Sequence, residues 1–198
     1  MKIFTYLLVS SFLLFQTSLC FASPEYSINF SVAPDLTTYC HQYDVDVAIT
    51  ENSTLGVMPS YKCQDRPDRP SNGSMRINSQ VTNTFNRILI PWRYAPHGVF
   101  NTGYVVMALV GVENSEFKSD AGSSAKVSFI DTGVWFGYQW FWPNGFNIFA
   151  SGGVAHLMRN SLDKNISTTE STKVSDYLDE QTSTNTHLGG GVFFGWAF

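Results

Sequence analysis

The chain has 198 residues, of which 43% are hydrophobic, 15% aromatic and only 14% charged, with a formal net charge of −4. The charged fraction falls well below the ~25% usual in soluble domains, and the acidic balance lacks the basic patch of nucleic-acid binders, so nucleic acid is not an expected partner. Mean hydropathy is only −0.06, because Ser, Thr, Asn and Gly dilute the apolar residues, and that mixture suits alternating strands better than continuous apolar helices.

Met1-Lys2 is a short basic start, and Ile3 to Phe15 is an apolar run too short to span a membrane as a helix. Cys20 and Ala22 are small residues at the minus-three and minus-one positions of a cleavage site. Leu19 is too bulky for acylation of Cys20. Residues 1–22 are therefore expected to be a signal peptide, and residues 23–198 the mature domain. The mature chain keeps Cys40 and Cys63. An even cysteine count in an exported protein predicts a disulfide between them.

Period-two alternation then recurs. Tyr26, Ile28, Phe30 and Val32 share one face of a first strand, and Tyr43, Val45, Val47 and Ile49 share one face of a second, opposite Asp44 and Asp46. A third runs from Leu55 to Tyr61. In a fourth, Ile88, Ile90, Trp92 and Tyr94 oppose Arg87 and Arg93, with Pro91 predicting a bulge. The fifth covers Phe100 to Val112. The sixth, Lys126 to Trp142, sets Ile130, Val134, Phe136, Tyr138 and Trp140 against Asp131, Gly133 and Gly137. The seventh, Phe146 to Arg159, is small and apolar on both faces, and the eighth runs from Thr186 to Phe198. Connections alternate in length. Short ones fall near 52, at 95–98 and at 143–145, where Asn-Gly predicts a turn with positive φ at both residues. Long polar ones fall at 34–41, 64–84, 113–124 and 160–184, and Ser167 to Thr186 reads as a loop.

The expected fold is all-β, an eight-stranded antiparallel up-and-down transmembrane β-barrel. Alternation alone does not say which face is enclosed. Interior charges Asp44, Asp46, Arg87, Arg93 and Asp131 could pair inside a barrel, whereas lipid would not accept them. Trp92, Tyr94, Phe100, Trp140, Trp142, Phe146, Trp196 and Phe198 cluster at strand ends beside short turns, as interface girdles do. The last strand places Phe194, Trp196 and Phe198 on one face, consistent with closure in lipid.

The chain resembles the small eight-stranded outer-membrane proteins of Gram-negative bacteria, of the OmpX and OmpW kind. "GVWFGYQWFWPNGFNIFASGGVAH" carries the likeness most strongly, with its Gly-Tyr-x-Trp strand, Asn-Gly turn and Gly-rich return strand. The resemblance spans Tyr26 to Phe198. It implies location in the bacterial outer membrane, contact with outer-membrane lipid, and recognition of Phe194, Trp196 and Phe198 by the barrel-insertion machinery.

No catalytic residues, cofactor or metal site are expected. Lipid-modifying barrels of known type carry His-x-Ser, but the histidines here read His41-Gln-Tyr, His97-Gly-Val, His156-Leu-Met and His187-Leu-Gly. Strand parity also puts His156 and His187 on opposite faces. The expected function is a structural or surface-interaction role through segments 64–84 and 160–184, where a host or surface ligand would be met. Two alternatives stand beside it. One is a narrow channel, with Gly133, Gly137, Gly153 and Gly191 making room, and the other is a soluble lipocalin-like exported carrier.

Overall fold

A computed structural model describes residues 28–34, 41–64, 81–168 and 172–197. Eight strands follow one another: β1 (Ile28–Pro34), β2 (His41–Thr50), β3 (Ser53–Gln64), β4 (Val81–Tyr94), β5 (Gly103–Ser119), β6 (Ser124–Phe141), β7 (Phe146–Asn165) and β8 (Asn185–Ala197). A helix, α1 (Thr172–Gln181), lies between β7 and β8. Each strand pairs antiparallel with its neighbour in sequence. Asn29–Val32 of β1 pair with Phe194–Ala197 of β8, which closes the barrel. The expected signal peptide, Cys40 with its expected disulfide to Cys63, most of segment 64–84, and Phe198 lie outside the described residues.

Three connections gather at one end. Ala95 N–H donates to the Asn52 carbonyl at 2.8 Å, Val99 N–H to that of Glu51 at 2.8 Å, and Asn52 Nδ2 to that of Ala95 at 2.9 Å. These bonds lock the β2–β3 turn onto the β4–β5 turn. The β6–β7 turn differs from the expected one. Gly145, with φ +83°, is its left-handed residue, and Asn144 is not left-handed. Gly145 N–H donates to the Trp142 carbonyl at 3.0 Å, and Trp142 N–H to that of Phe146 at 2.9 Å. Pro143 accounts for this, since its fixed φ suits the second position of a type I turn, which is then completed by a left-handed glycine.

Four expectations are corrected at the opposite end and in β4. Segment 113–124 is not a long loop: β5 runs to Ser119, β6 starts at Ser124, and a tight turn with Gly122 at φ +90° joins them. Alternation simply continues, with Glu113, Ser115 and Phe117 inward and Asn114, Glu116 and Lys118 outward. Likewise β7 runs to Asn165, beyond the expected Arg159. Ser167 to Thr186 is not all loop, because α1 forms within it. Val174 and Leu178, one turn apart, pack on Phe117, Ala125, Val127 and Phe129 of the β5–β6 inner wall. Finally, Pro91 makes no bulge. It pairs with Leu109 in an unbroken β4–β5 register, and β3 keeps its register on either side (Leu55 with Trp92, Met58 with Leu89). The ladder lapses opposite the missing N–H instead of gaining a residue. The register shifts fall between Ala48 and Thr50, between Ser60 and Cys63, and between Ser128 and Phe129.

Candidate functional site

The outer face of the barrel is apolar. Val45, Val47 and Ile49 on β2, Leu55 and Val57 on β3, and Ile88, Ile90 and Trp92 on β4 are all exposed. So are Tyr104, Val106, Val110 and Val112 on β5, Val134, Phe136 and Trp140 on β6, Val154 on β7, and Leu188, Val192 and Phe194 on β8. The belt therefore runs over seven consecutive strands. At the short-turn end it is edged by aromatic contacts: Tyr104 with Tyr138, Tyr138 with Trp140, Trp142 with Phe146, and Phe146 with Trp196, at ring separations of 4.7–5.1 Å. At the other end it gives way to polar residues. Glu116 there sits 3.2 Å from Lys118 and 3.7 Å from Lys126. His156 lies on the outer face near the upper edge of the belt, where its Nδ1 is 2.7 Å from Thr186 Oγ1. His187 lies on the inner face, within reach of the charges of Asp131 and Arg87.

Inside, the structure gathers the five charges singled out from the sequence into two clusters. Near the short turns, Arg93 reaches across from β4 to two carboxylates of β2. Its Nη2 donates to Asp44 Oδ2 at 2.5 Å and its Nη1 to Asp46 Oδ1. All three side chains are buried, and the guanidinium sits 5.7 Å over the Phe149 ring. Gly56, paired with Asp46, leaves the space that the Asp46 carboxylate fills. In the second cluster, Arg87 Nη1 lies 3.9 Å from Asp131 Oδ2, and Arg87 Nη2 donates to Gln42 Oε1 at 3.4 Å.

Met58, Leu89, Val105, Met107, Leu109, Phe149 and Phe193 form an apolar core inside the barrel, with Trp135 packed against it. The space expected of the glycines is occupied. Trp135 approaches Gly133, Gly153 and Gly189, the Phe149 ring lies against Gly137, and the Phe193 ring against Gly191. At Gly137, Gly153 and Gly189 a glycine on one strand makes room for a ring from another, so the core is filled rather than hollow. At the long-loop end, Val174 and Leu178 of α1 cover the β5–β6 wall, and Lys164 Nζ donates to Asp179 at 2.6 Å.

Glu113 is an inward-facing charge that the sequence reading missed, because its fifth strand stopped one residue short. Ser115 Oγ donates to Glu113 Oε1 at 2.8 Å. Among the described residues, no three His, Cys, Asp or Glu side chains gather as a metal site.

No protein-family model matches the chain, and no curated protein matches it. A major outer membrane protein from Thermus thermophilus is similar in structure, with a TM-score of 0.41 and 11% identity, over 87% of this chain and 99% of that one.

Proposed function

We propose that this chain is an integral outer-membrane barrel protein that acts as a closed scaffold, with its surface role carried by the long-loop end. The continuous apolar belt around a barrel whose buried charges pair inside carries the reading. In water, an apolar surface of that extent is an aggregation liability, whereas in a bilayer it is the required solvent-facing surface. Its height fits. From Tyr104 to Val112 the belt covers about 27 Å of strand at ~3.4 Å per residue. At a strand tilt of ~40° that is about 20 Å along the barrel axis, close to the ~25 Å apolar band of outer-membrane barrels. The ring of aromatics at one edge suits an interface anchor.

The filled core favours a scaffold over a channel, and the outward apolar face favours a membrane protein over a soluble carrier. Likeness to proteins of the OmpX and OmpW kind belongs to the same proposal, as do contact with the insertion machinery and a ligand met at segments 64–84 and 160–184.

Carbonate washing of membranes tests the location. The protein is expected to stay in the outer-membrane fraction, and its release into the wash would leave the soluble-carrier reading. Planar-bilayer recordings are expected to show no steady conductance. Trimming residues 65–80 and 166–184, which leaves β3, β4, β7 and β8 whole, is expected to leave insertion intact while abolishing any adhesion or ligand binding.

A further inference from the structure

At the long-loop end, β7 outlasts one of its neighbours. Its ladder to β8 ends where Leu157 pairs with Asn185, while its ladder to β6 continues until Asn165 pairs with Ser124. The upper part of β7 therefore stands as an open sheet edge. At the foot of this edge, Arg159 N–H donates to Thr184 Oγ1 at 3.1 Å, and Asn160 falls at the register shift against β6. Above the shift, Ser161–Asn165 pair regularly with Ser124–Ser128. Among the described residues, no main-chain hydrogen bond reaches Ser161–Asn165 from the β8 side. Alternate residues of a strand turn their N–H and C=O groups to the same side, so this edge presents unpaired donors and acceptors.

Proteins normally cover, bulge or charge such an edge. Helix α1 does not cover it: Val174 and Leu178 pack on the β5–β6 wall, and Ser161, Asp163 and Asn165 are exposed. Lys164 is engaged by Asp179 of α1 and does not guard the edge. Two side chains give the edge its character. Leu162, paired with the inward Val127, is still 38% exposed. Asp163, paired with the outward Lys126, makes no ion pair among the described residues, while Lys126 itself lies 3.7 Å from Glu116.

We propose that Ser161–Asn165 bind an extended segment of a partner protein, which adds antiparallel as one more strand in line with β8. Such docking rests on the reading that the long-loop end carries the surface role. Main-chain pairing gives the affinity, and the two side chains give the preference. Antiparallel pairing sets Asp163 and Leu162 opposite two successive residues of the segment. The first, facing Asp163, is basic, and the second, facing Leu162, is apolar. A second copy fits less well, because two barrels in one membrane carry β7 in the same direction.

The test uses the full chain folded in detergent micelles and a fluorescein-labelled peptide, Thr-Val-Arg-Val-Thr, read by fluorescence anisotropy. Saturable binding is expected, together with slower amide exchange at Ser161–Asn165. The same peptide N-methylated at its central amides keeps its side chains and is expected not to bind, because strand pairing needs those N–H groups. Asp163→Lys is expected to weaken binding about threefold, the worth of one exposed ion pair, and Thr-Val-Glu-Val-Thr to regain it. Trimming 166–184 takes α1 off the wall that supports this edge, so the trimmed chain is expected to lose the peptide. The proposal is overturned if the wild type ignores the peptide, if the N-methylated peptide binds equally, or if the protected amides lie elsewhere in the barrel. Exchange at Ser161–Asn165 that slows with protein concentration alone would show a second copy on the edge, and would overturn it too. Loss of adhesion on trimming reads the surface role of the long-loop end without any peptide, so a failed peptide leaves that reading standing.

Discussion

The indole of Trp135 reaches across the barrel interior to Gly189: a Cβ built on that glycine would stand 2.6 Å from Trp135 Cη2. Two strands, β6 and β8, that share no hydrogen bonds are thereby packed against each other through one ring. Gly189→Ala is expected to destabilise the barrel by about 1–3 kcal/mol through overpacking. Trp135→Phe in the same chain should recover most of that loss. Urea unfolding of the protein in lipid vesicles measures both.

Arg93 holds Asp44 and Asp46 together. Arg93→Met leaves two buried carboxylates facing each other, and is expected to cost about 3–5 kcal/mol. Adding Asp44→Asn and Asp46→Asn removes the stranded charges, so the triple variant should be clearly more stable than the single one. The same unfolding assay reads this. Equal losses in both would mean that the cost lies in packing against Phe149 rather than in charge.

Leu178 is fully buried under α1. Leu178→Ala is expected to weaken helix docking by about 2–5 kcal/mol, more than a ten-residue helix can compensate alone. The consequence should be local. Limited proteolysis is expected to cut faster between residues 166 and 184, with the heat-dependent gel mobility of the folded barrel unchanged.

Val110 sits within the apolar belt, and Asn114, on the same face of β5, sits beyond it. Val110→Arg is expected to cost about 2–4 kcal/mol in a bilayer, and Asn114→Arg at most ~1 kcal/mol. Similar costs at the two positions would place the belt outside the hydrocarbon and argue against a membrane-spanning barrel.

Eight strands, and the faces of β2, β4, β5 and β6, were legible in the sequence because one rule, alternation, acts along each of those four. Tyr43, Val45 and Val47 against Asp44 and Asp46 could only lie on two sides of a sheet. Strand ends were less legible. Beyond Val112, the outward residues turn polar while the inward Ser115 and Phe117 remain, so the amphipathic contrast fades although the ladder continues. Helix α1 was hidden for a related reason. Only Val174 and Leu178 mark its buried face, set among Ser, Thr and Asp that read as loop. The division of five charges into two clusters was not legible at all. It depends on which strands lie beside each other and on how far a guanidinium reaches across the interior.

The ladder around the barrel is uneven. Between β6 and β7 it runs from Ser124 to Phe141, whereas between β1 and β8 it is described only from Asn29 to Val32. Opening the barrel along that seam breaks fewer backbone bonds than opening it anywhere else among the described pairs. The molecule is thus a stiff curved plate, β5 to β7, with a gate post at either edge. Amide exchange should enter first at the β1–β8 gate and last in the plate. A nascent barrel that completes its plate early has one short edge left to fasten, and fastening it costs little rearrangement of the rest.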